Sequence, residues 1–201
     1  ARMPLASRSP WYVLLEVSDA VGEAQAQQAI EGFLQAALEQ EIATDAALST
    51  SLAQFQALWA LREDISECQG AEGKTIKHDV SLPVSNIAAF IERGNAALHA
   101  AVPGIRHIIF GHPGDGNLHY NVFPPPGGRA ADYTALRGAV KRCVHDLVHA
   151  RGGSVAAEHG VGRLKVEDLE RYADPAKLDA MRAIKAALDP AGIMNPGAVL
   201  G

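Results

Sequence analysis

Apolar residues recur along this chain with two different periods, which predict alternating strands and helices. Short apolar or alternating runs bounded by turn residues predict strands. Recurrence every three to four residues predicts amphipathic helices. The predicted strands are 11–17, 42–48 (a weaker one), 74–81, 105–110, 118–123 and 154–157. The predicted helices are 23–40, 51–65, one from 83 to a stop near 103, 131–150, 164–172 and 175–188.

The strands 105–110 and 118–123 are joined by a hairpin signal. The dipeptide Asp115-Gly116 is typical of a type I′ turn, in which both central residues have positive φ. A turn centred there places His112 directly opposite His119, with Asn121 on the same face. Gly114 and Gly116 indicate a close backbone approach to a bound group. The hairpin therefore predicts half of a metal site, although two facing histidines are also compatible with a purely structural role.

Because strands alternate with helices and one strand pair forms a hairpin, we predict an α+β fold. It would be an antiparallel sheet with helices packed on it, an elaboration of a ferredoxin-like arrangement. The first strand, 11–17, is nearly all apolar and is expected to be buried on both faces. No internal repeat and no phosphate-binding glycine loop is present in the sequence.

Composition narrows the class of protein. With 48% hydrophobic and 20% charged residues, the 201-residue chain has an ordinary globular composition. A net charge of −5 without a basic run argues against a nucleic-acid partner. Cys68 and Cys143 lack CxxC spacing and predict reduced thiols, hence a cytoplasmic location, and no apolar run reaches the ~20 residues of a membrane span. Since the chain starts at Ala1 rather than at Met, it is expected to be a piece of a longer polypeptide.

Candidate chemistry centres on His112, His119 and Glu158. Two imidazoles and a carboxylate suit Zn²⁺, Mn²⁺ or Fe²⁺ and leave coordination positions open for a substrate. Arg62 and Ser66 are four apart on one helix and could reach the same ligand, although spacing alone favours a surface role for them and for Lys77. His78 is interpreted as structural, and His145 and His149 as exposed residues of a helix.

Three motifs in this order resemble the C-terminal domain of FAD-linked oxidases, the group that contains D-lactate dehydrogenase, glycolate oxidase and D-2-hydroxyglutarate dehydrogenase. They are GHPGDGNLHYN at 111–121, EHGVG at 158–162 and LDPAGIMNPG at 188–197. Segments 58–67 and 77–84 are similar to the D-2-hydroxyglutarate dehydrogenase branch in particular. The resemblance extends over residues 11–200.

The resemblance implies a role for each matching residue. His112, His119 and Glu158 would hold a divalent metal, Zn or Mn, and His159 would be the catalytic base and also contact the substrate. A small D-2-hydroxy acid would be bound by the side chains of Arg62, Ser66, Lys77 and Asn121, and Asn195 would contact the flavin. The sequence departs from the family at Ala198, where a lysine is usual, and at Ser66, where threonine is frequent.

By the same resemblance, residues 1–201 form the substrate- and metal-binding C-terminal domain of a flavoenzyme. FAD would be bound mainly by an N-terminal domain that this chain does not include, so the chain alone should not turn over. Two alternatives stay open, a stand-alone metal-dependent hydrolase and a non-enzymatic small-molecule-binding module. The hydroxy acid, the electron acceptor and the oligomeric state, including a homodimer, are left open by the sequence.

Overall fold

The computed structural model describes residues 3–127 and 130–200. The chain divides into two compact units, Ala1–Glu72 and Gly73–Gly201. Among the described residues, no helix is both long enough and apolar enough to span a bilayer.

The regular structure described in the first unit is helical. It consists of α1 (Glu23–Glu39), α2 (Leu52–Glu63) and α3 (Ile65–Ala71). The hydroxyl of Ser51 accepts a hydrogen bond from the amide of Gln54 at 3.3 Å, which caps the start of α2 as the sequence predicted. The predicted helix 51–65 is divided at Asp64, so that Arg62 lies in α2 and Ser66 in α3.

The strand predictions for 11–17 and 42–48 are wrong, because the structure assigns neither segment to a strand. Residues 11–17 were expected to be buried, yet Trp11 is 59% exposed and Val13 75%. Their aromatic and β-branched composition favours a strand, but a strand also needs a neighbouring chain to pair its backbone N–H and C=O groups. None of the described strands pairs with either segment.

The second unit contains the sheet and four helices among its described residues. They follow the order β1 (Asp79–Ser81), α4 (Ile87–Ala101), β2 (Arg106–His112), β3 (Asn117–Phe123), α5 (Ala130–His149), α6 (Val166–Tyr172) and α7 (Pro175–Leu188). The strand predicted at 74–81 is reduced to β1 and an isolated bridge at Ile76, and the strand at 154–157 to a single bridge between Ser154 and Ser81.

The sheet is antiparallel with the order β1-β3-β2, which confirms the predicted α+β class. Successive side chains of a strand point to opposite faces. Leu118, Tyr120 and Val122 of β3 point to the core face, where they are buried in one cluster with apolar residues of α4 and α5. That cluster also contains Phe90, Leu98, Val140, Val144 and Val148. We call the opposite face, which carries Asp79, Asn117, His119 and Asn121, the site face.

The hairpin is present, but its predicted register is wrong by two residues. Pro113–Asp115 forms a 3-10 turn and Gly116 follows with a φ of 73°. The ring of Pro113 fixes its own φ, which favours this turn over a type I′ turn between longer strands. His112 therefore pairs with Asn117, and His119 pairs with Phe110. Because the shift is an even number of residues, His112 and His119 still share a face, as diagonal neighbours rather than as a directly opposed pair.

Candidate functional site

Strands β1 and β3 assemble the site face. Asp79 is directly opposite His119, so the two side chains lie next to each other. The bridge between Ile76 and Val122 continues the same register, which places Lys77 opposite Asn121. Lys77 is exposed and Asn121 is buried. Two residues predicted to bind substrate therefore lie on the same face as the predicted metal ligand His119.

His119 and Glu158 are in direct contact. The Nε2 atom of His119 lies 3.1 Å from the Oε1 atom of Glu158. Two ligands bound to one tetrahedral zinc at ~2.0–2.2 Å are about 3.3–3.5 Å apart, so this pair needs little adjustment to share an ion. The structure therefore brings together two of the three predicted metal ligands.

Asp79 is the residue that completes the cluster in the structure. One ligand atom each of Asp79, His119 and Glu158 lies within 4.8 Å of the other two. The sequence-based prediction assigned the third position to His112, which is exposed at the end of β2 and belongs to no such cluster among the described residues. The register shift moves His112 two residues along the hairpin from His119, which explains the difference.

Asp79 is already surrounded by donors. Its carboxylate accepts hydrogen bonds from the backbone amides of Glu158 at 3.3 Å and His159 at 3.1 Å, and the Nζ atom of Lys165 donates to it at 3.3 Å. Burial by itself raises the pKa of Asp79, but these donors outweigh it and hold the pKa below its ordinary value. The group is therefore a carboxylate at neutral pH. An ammonium beside it makes Asp79 better suited to supporting the cluster than to binding a cation.

His159 lies between the two carboxylates. Its Nε2 atom is 3.4 Å from Oε1 of Glu158, and its Nδ1 atom is 3.7 Å from Oδ2 of Asp79. The ring is 66% exposed and lies nearly parallel to that of His119, with 6.0 Å between centroids. An imidazole that takes up a proton here has a carboxylate oxygen near each ring nitrogen, and its exposure leaves room for a ligand. This geometry is suited to a catalytic base.

Asn117 is a further site residue that sequence reasoning missed. Its Nδ2 atom donates to Oε2 of Glu158 at 2.9 Å, so one carboxylate oxygen of Glu158 is held by Asn117 while the other faces His119. Its Oδ1 atom is buried without a hydrogen-bond partner. The signal was available, since alternation along β3 puts Asn117, His119 and Asn121 on one face.

Other predicted residues lie outside this cluster. Arg62 and Ser66 belong to the first unit, and their proposed contact with substrate stays a prediction. Asn195 lies exposed in the tail that follows α7, with a φ of 49°. In that tail the buried carboxylate of Asp189 accepts the amides of Ile193 and Met194 at 3.0 and 2.9 Å.

One of the two glycines of the turn has an explanation within the chain itself. A Cβ atom on Gly116 would lie 2.1 Å from the carbonyl oxygen of Leu82, so its close approach is to the chain's own backbone. A Cβ atom on Gly114 would meet nothing within 4 Å. The contact with Leu82 therefore explains Gly116, and the approach of a bound group to Gly114 stays a prediction.

Comparison with known proteins agrees with the motifs. The family described as FAD linked oxidases, C-terminal domain, matches residues 2–199. The chain is 38% identical over 196 residues to D-2-hydroxyglutarate dehydrogenase of Stutzerimonas stutzeri, which covers 98% of the chain and 42% of that protein. It is 37% identical over 189 residues to the mitochondrial D-2-hydroxyglutarate dehydrogenase of Bos taurus, covering 94% of the chain and 33% of that protein. The chain thus spans less than half the length of these relatives.

Proposed function

The chain belongs to the family of FAD-linked oxidase C-terminal domains, and from this we propose that it is the substrate- and metal-binding part of an FAD-dependent D-2-hydroxy acid dehydrogenase. The reaction would convert a D-2-hydroxy acid to the 2-oxo acid. The observation that carries the proposal is the convergence of His119, Glu158 and His159 on one face of the sheet. FAD would be bound mainly by a part of the protein outside these residues.

His112, His119 and Glu158 would hold a divalent metal, Zn²⁺ or Mn²⁺. His119 and Glu158 fit this role, because their ligand atoms lie close to the separation that two ligands of one ion require. His112 is exposed and lies on the same face of the sheet as His119. When bound, the metal would act as a Lewis acid that lowers the pKa of the substrate's 2-hydroxyl group.

His159 would accept the proton of that hydroxyl. Its two ring nitrogens lie near the carboxylates of Glu158 and Asp79, which would orient the ring for this step. Bound FAD would supply the oxidising chemistry by accepting the α-hydrogen with its electron pair. Asn195, in the exposed tail, would contact the flavin.

The substrate would be held by Arg62, Ser66, Lys77 and Asn121. Lys77 and Asn121 lie opposite each other, one pair along from Asp79 and His119, so an ammonium and an amide lie on the face that carries His119. Arg62 offers a planar pair of donors suited to a carboxylate. A second cationic group favours a diacid, and the relatives are named D-2-hydroxyglutarate dehydrogenases, so we propose D-2-hydroxyglutarate as the substrate. A cytoplasmic location remains a prediction, since several relatives are named as mitochondrial.

A binding experiment tests this proposal without requiring turnover. The chain loaded with one equivalent of Zn²⁺ is titrated with D-2-hydroxyglutarate and with its L enantiomer in a calorimeter. We expect the D enantiomer to bind more tightly and only in the presence of Zn²⁺. His119→Ala or Glu158→Gln should lower Zn²⁺ affinity by more than about 100-fold, the upper limit for loss of a second-shell contact.

His149→Gln is the matched control, because His149 is an exposed histidine on α5. This variant should bind both Zn²⁺ and the hydroxy acid like the unsubstituted chain. Failure of the unsubstituted chain to bind Zn²⁺ would contradict the proposal. Hydrolysis of p-nitrophenyl acetate by the Zn²⁺-loaded chain without flavin, with no binding of the hydroxy acid, would favour the hydrolase alternative.

A further inference from the structure

The segment that carries Glu158 and His159 has no regular secondary structure. After the bridge at Ser154, residues 155–163 belong to no helix or strand. A catalytic pair needs a fixed geometry, and a helix or strand usually supplies it. In this loop the positions of Glu158 and His159 must be fixed by hydrogen bonds to other parts of the chain.

The backbone amides of residues 157–159 are held by Asp79. The amides of Glu158 and His159 donate to the Asp79 carboxylate, and the amide of Ala157 donates to the Asp79 carbonyl at 3.4 Å. Asp79 belongs to β1 and is 6% exposed, so its position is set by the sheet. Three consecutive amides of the loop are thereby held against one strand residue.

Lys165 is hydrogen-bonded both to the loop and to β1. Its Nζ atom donates to the Val155 carbonyl at 2.8 Å, to the Asp79 carbonyl at 3.3 Å and to the Asp79 carboxylate at 3.3 Å. The ammonium therefore joins the start of the loop to β1 and neutralises the buried carboxylate. Charge-assisted hydrogen bonds of this kind are stronger than neutral ones.

We propose that Asp79 and Lys165 are a positioning pair, which holds the Glu158–His159 backbone so that the metal ligand and the base converge on His119. They act through Glu158 and His159 and would contact neither metal nor substrate themselves. This inference rests on the proposed function, and it assigns to Asp79 the role of support rather than that of a metal ligand.

The chain contains a matched control pair. In the tail, the buried Asp189 accepts two backbone amides and the Nζ atom of Lys185, as Asp79 does with Lys165. That pair lies away from the His119 cluster in the sequence and shares none of its hydrogen bonds. Asp79→Asn and Lys165→Met can therefore be compared with Asp189→Asn and Lys185→Met, which remove the same chemical groups.

Two measurements are made on each variant of the full chain. The first is the affinity for Co²⁺ and the intensity of its d–d absorption, which report on metal coordination. The second is amide hydrogen exchange at residues 157–159. We expect Asp79→Asn and Lys165→Met to weaken Co²⁺ binding by 10- to 100-fold, the range typical of second-shell loss, and to accelerate exchange at these three amides. The control variants should change neither.

The outcomes separate the two proposals. Unchanged Co²⁺ affinity and unchanged exchange in Asp79→Asn would overturn the positioning role. A residual weak site with the same d–d spectrum supports it, whereas loss of one coordination position from the spectrum would make Asp79 a ligand and overturn it. If the unsubstituted chain bound no Co²⁺, the metal-binding part of the proposed function would be wrong. The amide exchange rates at residues 157–159 would still decide whether Asp79 and Lys165 hold the loop.

Discussion

His107 is kept neutral in the folded protein by its surroundings. Alternation along β2 directs it to the core face opposite Val122, where its ring lies 5.5 Å from that of Tyr120 and 5.1 Å from that of His99. Burial, together with the neighbouring His99, lowers the pKa of His107 to about 4. Its Nε2 atom is buried without a hydrogen-bond partner. A proton bound to the folded protein at this site would therefore be poorly solvated.

This residue should make stability depend on pH. Between pH 6.5 and about 4 the unfolded chain binds a proton at residue 107 that the folded chain does not, so stability is complete above pH 6.5 and falls as pH is lowered. The slope from this group is at most about 1.4 kcal/mol per pH unit. His107→Leu should reduce the dependence of the unfolding free energy on pH in that interval, measured by urea titration. The exposed His149→Gln is the control, and an equal slope in His107→Leu would contradict the assignment.

The motifs located part of the site, but the first of them also contains Asn117, which was missed, and His112, which lies outside the cluster. His119, Glu158 and His159 lie in glycine-rich motifs that can be recognised in the sequence, and the structure brings their side chains together. Asp79 and Lys165 join the site through contacts between residues 80 and 86 positions apart, which no spacing rule reveals. His145 shows the same limit, because it was expected to be exposed on its helix but is buried against Asp168 of α6.

At the scale of elements, the 3-10 turn between β2 and β3 sets the alignment of the site. Gly116 has a φ of 73°, its carbonyl accepts the amide of Leu82 at 2.9 Å, and an added Cβ would lie 2.1 Å from the Leu82 carbonyl oxygen. Gly116→Ala should therefore lower the unfolding free energy by more than about 2 kcal/mol, since a left-handed alanine costs ~1–2 kcal/mol before the clash is counted. Denaturant unfolding measures the change.

Gly114→Ala is the matched control in the same turn. An added Cβ there meets nothing within 4 Å, and the residue has no positive φ. Its effect should remain within about 0.5 kcal/mol, as for other open surface positions. Equal effects of the two substitutions would show that the contact between Gly116 and Leu82 does not support the turn.

Elements with strong local signals were predicted well, and those that depend on distant partners were not. Helices α2 and α7 begin where Ser51 and Asp174 cap them, because a cap is encoded by residues one to three positions away. The register of the hairpin depended on whether Pro113 belonged to the strand or to the turn. Segment 11–17 has strand composition without a described partner strand, and composition does not indicate whether a partner exists.

At the scale of the whole molecule, apolar burial is concentrated in one of the two units. Every described apolar residue that is buried lies between Ile76 and Leu178, within Gly73–Gly201. The first unit instead exposes large apolar side chains, including Trp11, Phe33 and Ile42. Because a buried core is the main source of folding free energy, the second unit has what it needs to fold by itself.

A fragment of residues 73–201 should therefore fold cooperatively and retain Zn²⁺, since it contains His119, Glu158 and His159 together with the pair Asp79 and Lys165. It lacks Arg62 and Ser66, so its affinity for D-2-hydroxyglutarate should be at least about tenfold weaker than that of the full chain, in line with loss of a charged hydrogen bond worth ~1.5–3 kcal/mol. A dispersed amide NMR spectrum and calorimetry with Zn²⁺ and the hydroxy acid test both statements.

The substitution Arg62→Met in the full chain should reproduce the loss of hydroxy-acid affinity while leaving Zn²⁺ binding unchanged. If the fragment bound the hydroxy acid as tightly as the full chain, the substrate carboxylates would be held by residues of the second unit, among which Lys77 is the predicted cation.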